Sequence, residues 1–128
     1  MSETGLGKIL VVDDDTDILT SIKLGIEADE RFKGYEVELS TDGEDAIKKC
    51  EGERYSAIVL DLMLPKRGGF MVLQKIKQRD KQTPVIIITG NEGMRHRDYA
   101  FSCGADEYLF KPFALKTLYD WLAEHLRR

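Results

Sequence analysis

Ser56-Ala57-Ile58-Val59-Leu60-Asp61-Leu62-Met63-Leu64-Pro65 holds four apolar residues in a row, two of them β-branched, that end in one carboxylate and are closed by a proline. An unbroken apolar run of this length is the pattern of a strand covered on both faces, as in the middle of a parallel sheet. Asp61 then falls at the C-terminal end of that strand. In open α/β sheets this end lines the ligand crevice, so an acid there has a chemical use as well as a plain structural one, capping the loop that follows.

The same pattern recurs on either side. Lys8-Ile9-Leu10-Val11-Val12-Asp13 and Val85-Ile86-Ile87-Ile88-Thr89 are two more apolar runs that end in a polar residue. Tyr35, Val37 and Leu39 alternate with Glu36, Glu38 and Ser40, which predicts a strand with one wetter face at a sheet edge. Glu107 to Pro112 supplies a fifth strand. Between the strands lie helical spacings: Ile18, Leu19, Ile22 and Ile26 over about 15–29, Ala46, Ile47 and Cys50 after Thr41-Asp42-Gly43, and Phe70, Leu73, Ile76 and Lys77 before Asp80. A polar helix over about 92–103 stops at Gly104. In the last helix Leu115, Leu118, Tyr119, Leu122 and Leu126 form one stripe, which leaves Trp121 off it; Tyr99 is placed outward if Ala100 and Cys103 face inward. The two aromatics suit either a partner surface or packing against neighbouring loops.

Strict alternation of strand and helix implies a parallel sheet with right-handed crossovers and helices on both faces. The expected architecture is a flavodoxin-like doubly wound α/β fold, (βα)5, with strand order 2-1-3-4-5. Residues 1–7 read as a loose N-terminus and 8–128 as a single domain.

Composition agrees. The chain has 128 residues, 42% apolar and 33% charged, enough to bury about two thirds of its unfolded surface. No apolar run nears the roughly 20 residues of a membrane span, and the first residues have neither the basic start nor the apolar core of a signal peptide. The two cysteines, Cys50 and Cys103, form no CxxC pair and fit free thiols in a reducing cytoplasm. A net charge of −4 with scattered basic residues argues against direct nucleic-acid binding; Arg95-His96-Arg97, flanked by Glu92 and Asp98, reads as a solvated helix face.

Four polar signals thus fall at one end of the sheet, at the tips of strands one, three, four and five: Asp13 with Asp14, Asp61, Thr89 and Lys111. Converging carboxylates repel one another, and hard oxygen ligands of this kind suit Mg²⁺. A carboxylate becomes a nucleophile toward phosphorus when cations neutralise the transferring oxygens, a task open to Lys111 and Mg²⁺. The hydroxyl of Thr89 could then bond the attached phosphoryl group. Taken singly, the acids of 13–17 could cap a helix, Thr89 could be an ordinary strand residue and Lys111 a solvated strand end. Their coincidence at matching strand tips favours the chemical reading.

Val11-Val12-Asp13-Asp14, Leu60-Asp61 with Pro65 and Gly69, Val85 to Thr89-Gly90, Gly104-Ala105-Asp106 and Tyr108-Leu109-Phe110-Lys111-Pro112-Phe113, in this order over about residues 8–126, resemble the CheY-like receiver domain of two-component response regulators. The resemblance implies that Asp61 takes a phosphoryl group from a sensor histidine kinase or phosphotransfer protein. It implies a Mg²⁺ site made by Asp13, Asp14, Asp61 and the backbone carbonyl of Met63, with Asp13 acting partly through water. It makes Thr89 and Lys111 the groups that sense the phosphoryl group and Tyr108 the aromatic that swings inward after Thr89. It also implies a cis Lys111-Pro112 bond that helps aim the lysine.

The signal would then be read out at the surface of the fourth helix, fifth strand and fifth helix, by a downstream protein or a second copy. Such a domain is a switch that promotes its own Mg²⁺-dependent phosphorylation and dephosphorylation, not a turnover enzyme. Met63 and Asn91 hold positions that tune water access in the family, and an apolar Met63 suggests a long-lived phosphorylated state. Arg67-Gly68-Gly69 departs from the family's usual Met-Asp-Gly and points to a more mobile loop. The chain reads as a single-domain regulator or a piece of a longer protein, with no output domain following the last helix. The alternative function is a pseudo-receiver, an interaction module that keeps the fold without phosphorylation. A haloacid-dehalogenase-like phosphatase would need a second acid at position 63, and an FMN carrier would need a phosphate loop where Asp13 to Asp17 stand.

Overall fold

Side chains that alternate between the two faces of each strand divide the interior in two. The computed structural model describes residues 5–64, 66, 68–90 and 94–126. Its elements are β1 (Gly7–Val12), α1 (Thr16–Ala28), a 3₁₀ turn (Glu30–Phe32), β2 (Tyr35–Ser40), α2 (Gly43–Gly52), β3 (Ala57–Asp61), α3 (Gly69–Arg79), β4 (Val85–Thr89), α4 (Met94–Ser102), β5 (Glu107–Phe110) and α5 (Leu115–Leu126). The strands pair in parallel in the order β2-β1-β3-β4-β5, as expected. In register, Val12 stands opposite Leu60, Asp61 opposite Ile88, and Thr89 opposite Phe110.

Because successive side chains leave a strand on opposite faces, Leu10, Val12, Ile58, Leu60, Val85 and Ile87 pack under α2, α3 and Ala100 of α4. Ile9, Val11, Ala57, Val59, Ile86 and Ile88 pack against Leu19, Ile22 and Ile26 of α1 and Leu118, Trp121 and Leu122 of α5. Both central strands, β3 and β4, are buried throughout, which their unbroken apolar runs require.

Helix starts follow capping chemistry. The Asp15 carboxylate accepts from the N–H groups of Asp17 and Ile18 at the head of α1, and Asp42 accepts from Asp45 N–H at the head of α2. Gly104 follows α4 with φ +109, a left-handed conformation suited to glycine.

Three expectations are corrected. Trp121 is not off the buried face of α5: it is 9% exposed and stacks on His125, whereas Leu115 at the start of the helix is 38% exposed. The buried face is centred on Leu118 and Leu122, and residue 121 lies within its arc at 100° per residue. The first strand already includes Gly7, and Leu6 N–H donates to Gly34 carbonyl, so pairing begins inside the stretch read as loose. The fifth strand ends at Phe110, before Lys111-Pro112. Tyr99 is half exposed beside inward-facing Ala100. Both cysteines are free and partly buried, and burial pushes the Cys50 thiol up to about 11. Pro65, Arg67, Asn91 and Glu92, on which some expectations rest, lie outside the described residues, as do residues 1–4. Among the described residues no helix is long and apolar enough to cross a membrane.

Candidate functional site

Asp13 is held where β1 ends: its N–H donates to Ser40 carbonyl at the end of β2, and its side chain is fully buried. Asp14, next along, points to solvent. Asp61 closes β3 and is 3% exposed. Lys111 leaves β5 with its N–H on Thr89 carbonyl at 2.8 Å, and the Lys111–Pro112 bond is cis. Its Nζ reaches back to donate to Asp13 Oδ2 at 2.7 Å and to Asp61 Oδ2 at 3.0 Å. Thr89 is buried at the end of β4. The sheet therefore brings Asp13, Asp14, Asp61, Thr89 and Lys111 to its C-terminal edge, as the sequence predicts.

The carboxylates are oriented from two sides. Asp13 Oδ1 accepts from Asp15 N–H and Asp61 Oδ1 accepts from Met63 N–H, each at 2.9 Å. Both are turns in which an acid bonds the backbone two residues on. The other oxygen of each acid shares the lysine. Burial raises the pKa of Asp13, against the opposing pull of Lys111 and of Asp15 N–H. Partial burial of Lys111 disfavours its charge, yet its bonds to Asp13 and Asp61 prevail and its pKa is raised. Two buried acids are thus kept together by one cation.

One oxygen from each of Asp13, Asp14 and Asp61 lies within 4.8 Å of the others. Three hard anionic donors this close, on a rim with one exposed member, match the needs of Mg²⁺ and repel each other without a cation. The residues present fit that ion.

Thr89 and Tyr108 occupy neighbouring strands. Tyr108 stands opposite Ile87, two positions before Thr89. It is 5% exposed and packs edge-on to Phe110 and tilted against Phe101. Its hydroxyl has no hydrogen-bond partner among the described residues, and burial raises its pKa. The ring is therefore already turned inward here. The Met63 side chain is 58% exposed beside the acids. Sequence reasoning passed over the N–H groups of Asp15 and Met63 as groups that orient the acids. The acid-to-backbone spacing of two residues was the signal for both.

The family model described as response regulator receiver domain matches residues 9–123. The response regulators MprA of Mycolicibacterium vanbaalenii and of Mycobacterium ulcerans are each 36% identical over 121 residues, 94% of this chain but 51% and 50% of theirs. The chain thus spans about half the length of the curated relatives it matches. Among solved structures, the CheY-like receiver domain protein of Methanospirillum hungatei gives a TM-score of 0.86 at 33% identity, covering 95% of this chain and 94% of that one. The BeF3-activated receiver domain of DrrB, a Thermotoga maritima protein, gives 0.85 at 31%, covering 95% and 98%. The receiver domain of a sensor histidine kinase from Pseudomonas aeruginosa, solved with a magnesium ion coordinated in its active-site cleft, gives 0.78 at 27%, covering 95% and 98%. On the matched residues, the strand order and these relatives together, the chain belongs to the response regulator receiver domain family of two-component signalling.

Proposed function

We propose that this domain is a phosphoryl-accepting switch with Asp61 as the acceptor. The observation that carries the reading is the Lys111 ammonium bridging Asp13 and Asp61 at 2.7 and 3.0 Å, at the crevice end of a parallel sheet. A carboxylate oxygen of Asp61 attacks the phosphorus of a phosphohistidine on a sensor histidine kinase or phosphotransfer protein. The P–O bond forms as the P–N bond breaks, and the imidazole leaves as the neutral base after taking a proton from solvent. Asp13, Asp14, Asp61 and the Met63 backbone carbonyl would hold Mg²⁺, which supplies charge to offset that of the transferring oxygens. Lys111, already within reach of Asp61, adds the second positive charge and then pairs with the attached group.

The new charge and acceptor oxygens draw Thr89 and Lys111 toward them. Tyr108, packed beside Thr89's strand, changes its contacts with Phe101 and Phe110, so the α4-β5-α5 surface presents a different face to a downstream protein or a second copy. The domain promotes its own phosphorylation and hydrolysis and is not a turnover enzyme. With a net charge of −4 it makes no direct contact with nucleic acid, and it works in the cytoplasm.

The test uses beryllofluoride with Mg²⁺ as a phosphoryl mimic on labelled protein. Amide resonances of Thr89, Tyr108 and α4 are expected to shift in the parent and to stay fixed in Asp61→Asn. Unmoved resonances in the parent would favour the pseudo-receiver reading.

A further inference from the structure

Two adjacent glycines follow the acceptor segment, Gly68 just before α3 and Gly69 as its first residue, and their surroundings differ sharply. At Gly68 a Cβ would meet nothing within 4 Å. Its φ is −56, open to any residue. At Gly69 a Cβ would lie 2.7 Å from Asp61 carbonyl oxygen and 2.8 Å from Leu62 carbonyl oxygen, and would also overlap Leu62 Cα. All three are backbone atoms, so no side-chain rotation relieves the contact. Gly69 N–H also donates to Leu62 carbonyl at 3.0 Å, and the Leu62 side chain is buried in the core under α3.

We propose that Gly69 is a positioning residue: by lacking a side chain it lets the first turn of α3 seat on the Asp61–Leu62 backbone, which sets where the Asp61 carboxylate and the Met63 carbonyl stand. The proposal rests on the reading of Asp61 as acceptor and Met63 as a metal ligand. The acceptor segment is clamped between the Leu62 side chain below and the α3 backbone above. A methyl group at 69 pushes that segment away from α3, and Asp61 and Met63 move with it. Displacements of about 1 Å at a reacting group cost on the order of 100-fold in rate, and disturbed support of metal ligands costs roughly 10- to 100-fold in affinity. Gly68 serves as the internal control, because its substitution alters the same loop without touching the segment.

The experiment compares labelled parent, Gly69→Ala, Gly68→Ala and Val72→Ala, the last a buried α3 residue whose truncation weakens the packing of the helix on the core without adding an atom near the site. Amide spectra are recorded without metal and through a Mg²⁺ titration. In Gly69→Ala the Met63 amide is expected to shift before any metal is added, and Mg²⁺ affinity to fall about 10-fold. Gly68→Ala and Val72→Ala should keep both within about twofold of the parent. A Gly69→Ala variant that folds with an unmoved Met63 amide and parental Mg²⁺ affinity overturns the proposal. So does Val72→Ala losing as much affinity, which would make the effect one of general stability. Should Gly69→Ala not fold, the parent decides: its Gly69 amide must respond to Mg²⁺ together with that of Met63, and a silent Gly69 amide overturns the proposal. A parent that binds no Mg²⁺ contradicts the acceptor reading instead, and the metal-free Met63 shift alone then judges Gly69.

Discussion

At the scale of single residues, the molecule places its charges in two kinds of cluster. Around Lys111 the acids are buried and outnumber the cation, an arrangement open to chemistry. Around Lys8 the acids also outnumber the cation but are partly solvated: Glu38 accepts from Lys8 Nζ at 2.8 Å and from the Tyr55 hydroxyl at 2.6 Å, with Glu53 also on the lysine. The Lys8 bond first, then the Tyr55 bond, hold the Glu38 carboxyl below its ordinary value of 4.5. A carboxyl whose folded-state pKa is depressed stabilises the fold at pH above the ordinary value and loses that contribution as pH falls through the lower folded value. Glu38→Gln is therefore expected to lower the unfolding free energy read from urea titrations at neutral pH, by roughly 1 kcal/mol or less for a partly solvated pair. The gap between variant and parent should narrow steadily as pH falls below about 4.5. A constant gap down to strongly acid pH would show that the ion pair contributes nothing.

At the scale of elements, close packing decides what propensity alone does not. Gly25 lies inside α1, where alanine would be favoured by about 1 kcal/mol. A Cβ there would overlap the hydroxyl of Tyr119 on α5, a side chain that also donates to Ile22 carbonyl at 3.3 Å and meets Phe32 edge-on. Overpacking of this kind typically costs about 1–3 kcal/mol, so Gly25→Ala is expected to destabilise by about 1 kcal/mol on balance. In a Tyr119→Leu background the same change should become stabilising. A double-mutant cycle by chemical denaturation checks the reversal of sign. The limits of sequence reading are of the same kind. Asp13, Asp61, Thr89 and Lys111 were legible because each ends an apolar run and the strand order puts those ends together. Trp121 was misplaced because a stripe counted from Leu115 starts on a residue that faces the edge of the layer, and the centre of a helix face is set by what it packs on. The overlap at Gly69 belongs to a contact between α3 and the end of β3, which no local spacing encodes.

At the scale of the whole molecule, the sheet lies between two packed layers. One layer, formed by α1 and α5 with Trp121 in its core, holds the sheet from behind; the other contains Tyr108, Phe101 and Phe110, next to the strand that ends in Thr89. The acids and Lys111 sit on the rim between the layers, where Lys111 N–H bonds Thr89 carbonyl at the end of β4 and β4 pairs with β5. Phosphoryl acceptance by Asp61 is checked most directly by intact mass after incubation with Mg²⁺ and acetyl phosphate, for the parent and for Asp61→Asn. A gain of one phosphoryl group is expected in the parent alone, lost when Mg²⁺ is chelated beforehand. An equal gain in Asp61→Asn, or none in the parent with either acetyl phosphate or a phosphorylated histidine donor, would contradict acceptance by Asp61.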